Sequence, residues 1–178
     1  MSSQSLPDEI ISEILLPALK VSDSAFSDAI SDVSPFVSHS ESSAAYLLVC
    51  KSWLRVATPL LYRIVILRSK AQAKALGVAL TENNDLGRFI KKLRVEGGYG
   101  SPMYTILRHS PNISDLFLTL EIYSDDNTNG LCQGLQLINP TRLILRDSPQ
   151  PLKNRMVLQL LNALPQAISQ WDHLVRSF

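Results

Sequence analysis

The chain of 178 residues has few of the residues that build covalently linked or metal-bound folds, with only two cysteines and three histidines. Cys50 and Cys132 lie far apart and beside no second type of ligand, which excludes a disulfide framework and a metal knuckle. His39, His109 and His173 are dispersed, and no i, i+4 pair among them suits a metal ion. We therefore expect no metal or other cofactor, and we expect both thiols to be reduced and buried as small hydrophobic groups.

Long apolar runs and targeting signals are also missing from the sequence. No run approaches the roughly 18 apolar residues that a membrane span requires. The first five residues carry no basic stretch, and the acidic Asp8 and Glu9 follow them, so a secretory signal is not expected. These absences predict a soluble intracellular protein, cytoplasmic and/or nuclear.

Catalytic motifs are absent as well. The segment 98–102 comes nearest to a Gly-x-Ser-x-Gly nucleophile turn but lacks its pattern, and no phosphate-binding Gly-Lys-Ser/Thr occurs. The acidic run Asp125-Asp126-Asn127-x-Asn129 lacks the twelve-residue calcium-loop register that ends in Glu, which favours a solvated turn. We find no catalytic constellation and expect a protein that is not an enzyme.

Charge is distributed unevenly along the chain, although the net charge is only +1. Residues 1–50 hold seven acids and one base, residues 51–108 hold eleven bases and three acids, and residues 109–178 hold five bases and six acids. The basic middle segment suits nucleic acid, an acidic partner, or the acidic N-terminal part of the same chain. Solvated surface charge is the interpretation that we favour.

Two amphipathic helices are predicted before residue 60. The first starts with Leu6-Pro7-Asp8-Glu9-Ile10, carries Ile14 on the same stripe as Ile10, and is expected to end at Pro17. The second is predicted over 44–57, with Pro59 as its stop. Between them, residues 22–43 contain nine serines, four acids and no Lys or Arg, which predicts a surface insert that is partly ordered at best.

The rest of the chain repeats one pattern, in which two apolar residues three apart are followed two residues later by a third. Copies begin at Leu61, Ile90, Ile113 and Pro140, and Trp171-x-x-Leu174 is a degenerate fifth. Their spacings of 29, 23, 27 and 31 residues lie within or just above the period of leucine-rich repeats, whose strand carries Leu-x-x-Leu-x-Leu. The pattern predicts units of alternating strand and helix that bury their apolar faces only by stacking on one another in a solenoid.

Helices are predicted between these strands. Ser69 is a candidate N-cap for the first of them, and Ser101-Pro102 suits a cap followed by a first-turn proline. The predicted helical segments are Ala71–Leu80, Met103–Arg108, Leu131–Ile138 and Leu152–Leu164.

The N-terminal motifs resemble an F-box. Leu6-Pro7-Asp8-Glu9-Ile10 matches the Leu-Pro-x-Glu-apolar start of that family, and Val49-Cys50-Lys51-x-Trp53 matches its apolar-Cys-Lys-x-Trp segment. Leu61-Tyr62 matches its closing leucine-aromatic pair. The insert makes the motif longer than usual, which is similar to long-insert F-box chains of fungi that continue into leucine-rich-repeat-like regions. The resemblance implies an α+β chain, with an F-box over 1–62 (insert at about 20–43) and a leucine-rich-repeat-like region over 63–178.

The resemblance also implies a function. F-box helices dock on a Skp-family adaptor, which links them to a cullin–RING ubiquitin ligase, and the following repeats capture a target protein, whose identity the sequence does not give. Residues of this chain that would face the adaptor are Leu6, Pro7, Ile10, Ile14, Leu48, Val49, Cys50 and Trp53. For Trp53, a place in the core is an equally open alternative.

Two other functions remain open from the sequence. The first is nucleic-acid binding by the basic segment, through Lys91, Lys92, Arg94 and Arg108. The second is an F-box protein that binds the adaptor but recruits no target for ubiquitination. Because the fifth repeat copy stops four residues after Leu174, we also expect the repeat region to be incomplete at its C-terminus.

Overall fold

The computed structural model describes residues 6–31, 33–37, 43–147 and 154–175, which form a mixed α/β structure. The described strands are β1 (Ile64–Leu67), β2 (Lys92–Val95), β3 (Asp115–Thr119) and β4 (Arg142–Arg146). The described α-helices are α1 (Asp8–Leu19), α2 (Asp23–Ser27), α3 (Lys51–Arg63), α4 (Lys70–Glu82), α5 (Asp85–Arg88), α6 (Pro102–His109), α7 (Asn129–Gly134) and α8 (Arg155–Ile168). Short 3₁₀ helices span Ser43–Leu48 and Leu135–Leu137.

The strands form one parallel sheet in the order β1-β2-β3-β4, so strands that follow one another in the chain are neighbours in the sheet. Helices connect them, and side chains of α4, α6, α7 and α8 share a large core with one face of the sheet. Alternate strand residues point into this core, as the two-residue period of a strand requires, among them Leu93, Val95, Leu116 and Leu118. The predicted alternation of strands and helices is confirmed.

The register agrees with the repeat pattern in three of the four copies. Leu93 pairs with Leu116, and Leu116 pairs with Leu143, as an aligned repeat requires. In the first copy the prediction was wrong by one residue, because Val65 rather than Ile64 lies beside Leu93. A shift of one residue exchanges the two faces of a strand, so Val65 packs against the core.

The helices between the strands largely match their predicted positions. Ser69 caps α4, since its hydroxyl accepts a hydrogen bond from the Gln72 amide at 3.2 Å. Ser101 does not cap α6 in this way, but Pro102 occupies the first turn as expected. The predicted helix at 131–138 is shorter, with a 3₁₀ turn at its end, and residues 152–153 of the last predicted helix lie outside the described residues.

The fifth repeat copy does not form a strand within the described part of the chain, contrary to the prediction. Its first position is nevertheless placed like Ile90 and Ile113: Trp171 is buried in the large core, and its indole N–H donates to the Leu135 carbonyl at 3.2 Å. The Val175 amide donates to the Thr141 carbonyl beside β4 at 2.9 Å. The backbone therefore begins to pair with the edge of the sheet at Val175.

The acidic turn after β3 is not fully solvated, which corrects the prediction for Asp126. Its carboxylate accepts hydrogen bonds from the amides of Gly98 and Tyr99, at 2.6 and 3.0 Å. Tyr99 has a left-handed backbone with φ of 57°, a conformation that needs such support in a residue other than glycine. Burial, with the nearby carboxylates of Glu96 and Asp126, raises the pKa of the Tyr99 phenol above its usual value. Asp126 thus fixes the loop that follows β2.

Helices α1 and α3 form a second, smaller core around Ile11, Leu15 and Ala57. Contrary to the prediction, both helices continue past their prolines, α1 past Pro17 and α3 past Pro59. A proline inside a helix costs about 3 kcal/mol. Apolar residues after each proline pack against the small core and offset that cost, namely Leu19, Leu60 and Leu61.

The serine-rich insert packs on the sheet, which its composition does not predict. We call its described residues, 22–31 and 33–37, the strap. Phe26 and Phe36 of the strap are buried. The strap lies on the face of the sheet opposite the helices, and we call that face the outer face; it presents Lys92, Arg94, Phe117, Arg142 and Arg146. Residues 32 and 38–42 of the insert lie outside the described residues.

Candidate functional site

Helix α1 has two apolar faces, and only one of them is covered. Ile11 and Leu15 are each 1% exposed in the small core. Their chain neighbours Ile10 and Ile14 are 41% and 50% exposed and form an adjacent stripe, rotated about 100° around the helix. Because a twelve-residue helix is marginal by itself, its buried face explains its folding, but that face gives no reason for the second apolar stripe.

Leu6 and Pro7 continue this exposed stripe at the start of the helix. Both are exposed, and Leu6 is 52% exposed. Pro7 stands at the N-cap position, and its carbonyl accepts hydrogen bonds from the amides of Ile10 and Ile11, both at 3.1 Å. The Leu-Pro start therefore sets the first turn of α1 while leaving its apolar side chains in solvent.

A second group of exposed apolar residues lies at the start of α3. The predicted helix over 44–57 is interrupted, because the 3₁₀ helix ends at Leu48 and α3 begins at Lys51. Cys50 is extended, with φ of −165°, and Leu48 and Val49 are exposed beside it. The break turns the Cys50 side chain outward, whereas one continuous helix would have placed it on the side of the buried Ala57.

The two cysteines differ in their surroundings. Cys50 is exposed, so the expectation of a buried thiol was wrong there: the extended backbone at the start of α3 carries it out of the core. Cys132 is buried as expected, and that burial raises the pKa of its thiol.

Trp53 lies between the exposed surface and the small core. It is half-buried, packs against the small core, and stacks on Tyr46 with ring centroids 6.5 Å apart. Seven of the eight predicted contact residues are thus exposed, and Trp53 belongs in part to the core. We call the most exposed large apolar members the N-terminal apolar surface: Leu6, Ile10, Ile14, Leu48 and Val49.

Two exposed leucines were not among the predicted contact residues. Leu16 on α1 and Leu54 on α3 are 42% and 46% exposed. Leu54 lies one helical turn after Cys50, and that i, i+4 spacing is the signal that links it to the motif. Leu16 directly follows the buried Leu15, and no spacing in the sequence separates it from the buried stripe.

An ion pair links the two helices beside the N-terminal apolar surface. Asp8 at the start of α1 binds Arg55 of α3, with carboxylate oxygen and guanidinium nitrogen 2.6 Å apart. Both side chains are largely exposed, and exposed pairs contribute at most about 1 kcal/mol. The small core, rather than this pair, holds α1 and α3 together.

The basic middle segment does not form one free patch. Arg94 is completely buried, and Lys92 binds Asp23 of the strap with nitrogen and oxygen 2.6 Å apart. Lys91 and Arg108 are exposed. The favoured interpretation of solvated charge was therefore wrong for Lys92 and Arg94, and the alternative contact with the acidic N-terminal part of the chain is the one observed.

Other kinds of site find little support in the described ranges. No group of three or more His, Cys, Asp or Glu residues there is placed to hold a metal ion. None of the helices in those ranges has the length and apolar character needed to cross a bilayer. Comparisons with known proteins add no relative, since no family model, no curated protein and no solved structure matches the chain.

Proposed function

We propose that this chain is the substrate-receptor subunit of a Skp–cullin–F-box ubiquitin ligase. In this proposal the N-terminal apolar surface binds the Skp-family adaptor, and the repeat-like sheet region captures the target protein. The chain is then a non-catalytic adaptor that acts inside the cell, in the cytoplasm and/or nucleus.

The exposure of Ile10 and Ile14 is the observation that carries the proposal. They sit on a short helix whose neighbouring face is already buried; Ile10 belongs to the Leu-Pro-x-Glu-apolar motif, and Ile14 follows it one turn later. Clustered exposed apolar side chains commonly mark a protein interface. Val49, which starts the second half of the motif, and the preceding Leu48 are even more exposed than Ile10 and Ile14.

The energetics support binding by this surface. Burying one Leu- or Ile-sized side chain contributes about 1.5–3 kcal/mol. Replacing two such anchors by aspartate removes their contribution and places charges against an apolar partner. We therefore expect the Ile10→Asp/Ile14→Asp variant to lose at least about 100-fold in affinity for the adaptor, which corresponds to about 3 kcal/mol.

The test is titration calorimetry of the full chain with a purified Skp-family adaptor. A matched control is available on α8, where Leu158 and Leu161 are 52% and 41% exposed, close to the values for Ile14 and Ile10. The Leu158→Asp/Leu161→Asp variant adds the same charge at similar exposure far along the chain. We expect it to bind the adaptor like the unmodified chain.

The outcomes separate the possible functions. Binding that is lost only in the Ile10/Ile14 variant supports adaptor docking by the N-terminal apolar surface. An equal loss of adaptor affinity in both variants would show that added surface charge weakens binding wherever it is placed, which would contradict docking by this surface. If the folded unmodified chain does not bind the adaptor at all, the proposal is refuted. In that last case, salt-dependent binding of nucleic acid to Lys91 and Arg108 would be measured next.

A further inference from the structure

The strap makes two kinds of contact with the outer face, and the first uses its backbone. Nη1 of Arg94 donates to the carbonyls of Ala25, Phe26 and Asp28, at 3.3, 2.7 and 3.1 Å. Nη2 of Arg146 donates to the Ser31 carbonyl at 3.0 Å. Such contacts hold a chain by its carbonyls and do not depend on which side chains it carries.

The second kind of contact is specific to side chains. The Asp23 carboxylate lies 2.6 Å from both Nζ of Lys92 and Nη2 of Arg142. Three residues later, Phe26 is fully buried, and Nζ of Lys92 lies 5.4 Å from its ring centroid. These two residues belong to the one-turn helix α2, so the outer face contacts an aspartate and a phenylalanine that are three residues apart on one helical turn.

The outer face has the character of a binding surface. Its centre is Arg94, which is fully buried and lies 3.7 Å above the ring centroid of Phe117. Burying a cation is costly unless it is paired, and Arg94 is paired with Glu96 at 2.6 Å and with the strap carbonyls. Nη2 of Arg94 has no hydrogen-bond partner among the described residues. An all-apolar face would cover a sheet at lower cost, whereas this one presents several cations around an aromatic ring.

The contacts of the strap come from one linear segment. Phe26 and Phe36 belong to neither of the two hydrophobic cores. The charges are complementary, since residues 1–50 carry an excess of six acids and residues 51–108 an excess of eight bases. A segment that binds through its own short pattern, outside both cores, has the properties of a ligand attached to its receptor.

We propose that the strap is an intramolecular ligand of the outer face, and that this face binds an acidic Asp-x-x-Phe segment of a partner protein when the strap is displaced. The inference rests on the proposed function, because it identifies the outer face as the place where the target is captured. An attached ligand competes at an effective concentration of about millimolar. The strap therefore lowers the apparent affinity for a free segment by the fraction of time that the face is open.

The test uses a fluorescent peptide that copies residues 22–31 and measures its binding by anisotropy. The receptor is the full chain, either unmodified or carrying Asp23→Ala/Phe26→Ala, which weakens the strap but leaves the outer face intact. We expect the variant to bind the peptide at least tenfold more tightly than the unmodified chain does. The same peptide with Phe26→Ala should not bind, and Arg142→Ala in the receptor should weaken binding.

Two results would overturn the proposal. In the first, both chains melt cooperatively, but the variant binds the peptide no more tightly than the unmodified chain does, or neither chain binds it. If the variant does not fold, amide hydrogen exchange of the unmodified chain decides: strap amides that exchange as slowly as those of β2 and β3 would show that the strap opens only with global unfolding. Adaptor binding is measured on the same samples, and because it involves Ile10 and Ile14, its failure is distinguishable from a failure of peptide binding.

Discussion

The two faces of α1 predict unequal effects of the same substitution at adjacent positions. Ile11→Ala removes a side chain that is 1% exposed in the small core, whereas Ile10→Ala removes one that is 41% exposed. Both changes replace isoleucine by alanine in one helix, so their effects on helix propensity are similar and largely cancel in the comparison. The difference in stability between the two variants then measures burial.

The expected magnitudes follow from that burial. Truncating a buried isoleucine to alanine costs about 2–5 kcal/mol, whereas surface substitutions usually change stability by less than about 0.5 kcal/mol. For a chain of this size, 1 kcal/mol corresponds to roughly 2–4 °C in melting temperature. Ile11→Ala should therefore lower the melting temperature by at least about 4 °C, and Ile10→Ala by no more than about 2 °C.

The chain offers a local reporter for this measurement. Of its two tryptophans, Trp53 packs against the small core and Trp171 lies in the large core. In a Trp171→Phe background, fluorescence during urea unfolding reports on the small core alone. If Ile10→Ala destabilises the small core as much as Ile11→Ala, the assignment of the two faces is wrong, and with it the argument for the N-terminal apolar surface.

Three further predictions concern the sheet region and the strap. Gly77→Ala should stabilise the chain by about 0.5–1 kcal/mol in urea unfolding, because a Cβ there would lie 3.6 Å from its nearest neighbour in Pro102 and alanine favours a helix interior. Gly130→Ala should instead destabilise it, since its Cβ would lie 2.2 Å from the Gly100 carbonyl oxygen; equal effects of the two changes would contradict the packing described. Hydrogen bonds from Arg142 and Lys92 lower the pKa of Asp23 well below its usual value. The ionised carboxylate of Asp23 therefore stabilises the docked strap fully above the unfolded-state pKa of about 3.9, and this stabilisation is lost as the pH falls through the native-state pKa. Strap protection in hydrogen exchange, corrected for intrinsic rates, should thus be constant from about pH 5 to 8 and decrease below about pH 4; a loss near pH 6 would contradict this. Ser34→Asp should speed proteolysis of the strap more than Ser34→Ala does, because the Ser34 hydroxyl donates to Glu96 at 2.7 Å and a carboxylate there would repel it.

Much of the α/β region could be predicted from the sequence because its signals are periodic and local. Apolar residues at two- and three-residue intervals identify Leu93, Leu116 and Leu143 as aligned core positions, and the register confirms them. The first copy was misaligned because Ile64, Val65 and Ile66 are all apolar, so the pattern alone does not say which face of β1 is buried. Tertiary packing decides it.

The N-terminal region was harder to predict because tertiary contacts override the local signals there. Proline usually ends a helix, but burial of residues beyond Pro17 and Pro59 keeps both helices intact. The exposure of Cys50 depends on a break in the backbone that no residue type at that point requires. The composition of the strap predicts only a surface insert, because serine and aspartate are typical of solvent-exposed loops and the partners of the strap lie far away in the sequence.

That distance has a consequence for how the chain is made. Asp23 lies 119 residues before Arg142, its partner on β4. At a synthesis rate of about 5–20 residues per second, roughly 6–24 seconds pass between the two on the ribosome. During that interval the nascent strap has left the ribosome before its full docking surface exists, with the aromatic rings of Phe26 and Phe36 in water. The strap is thus the earliest part of the sheet assembly to be translated, although its contact with Arg142 can form only after β4 has been made.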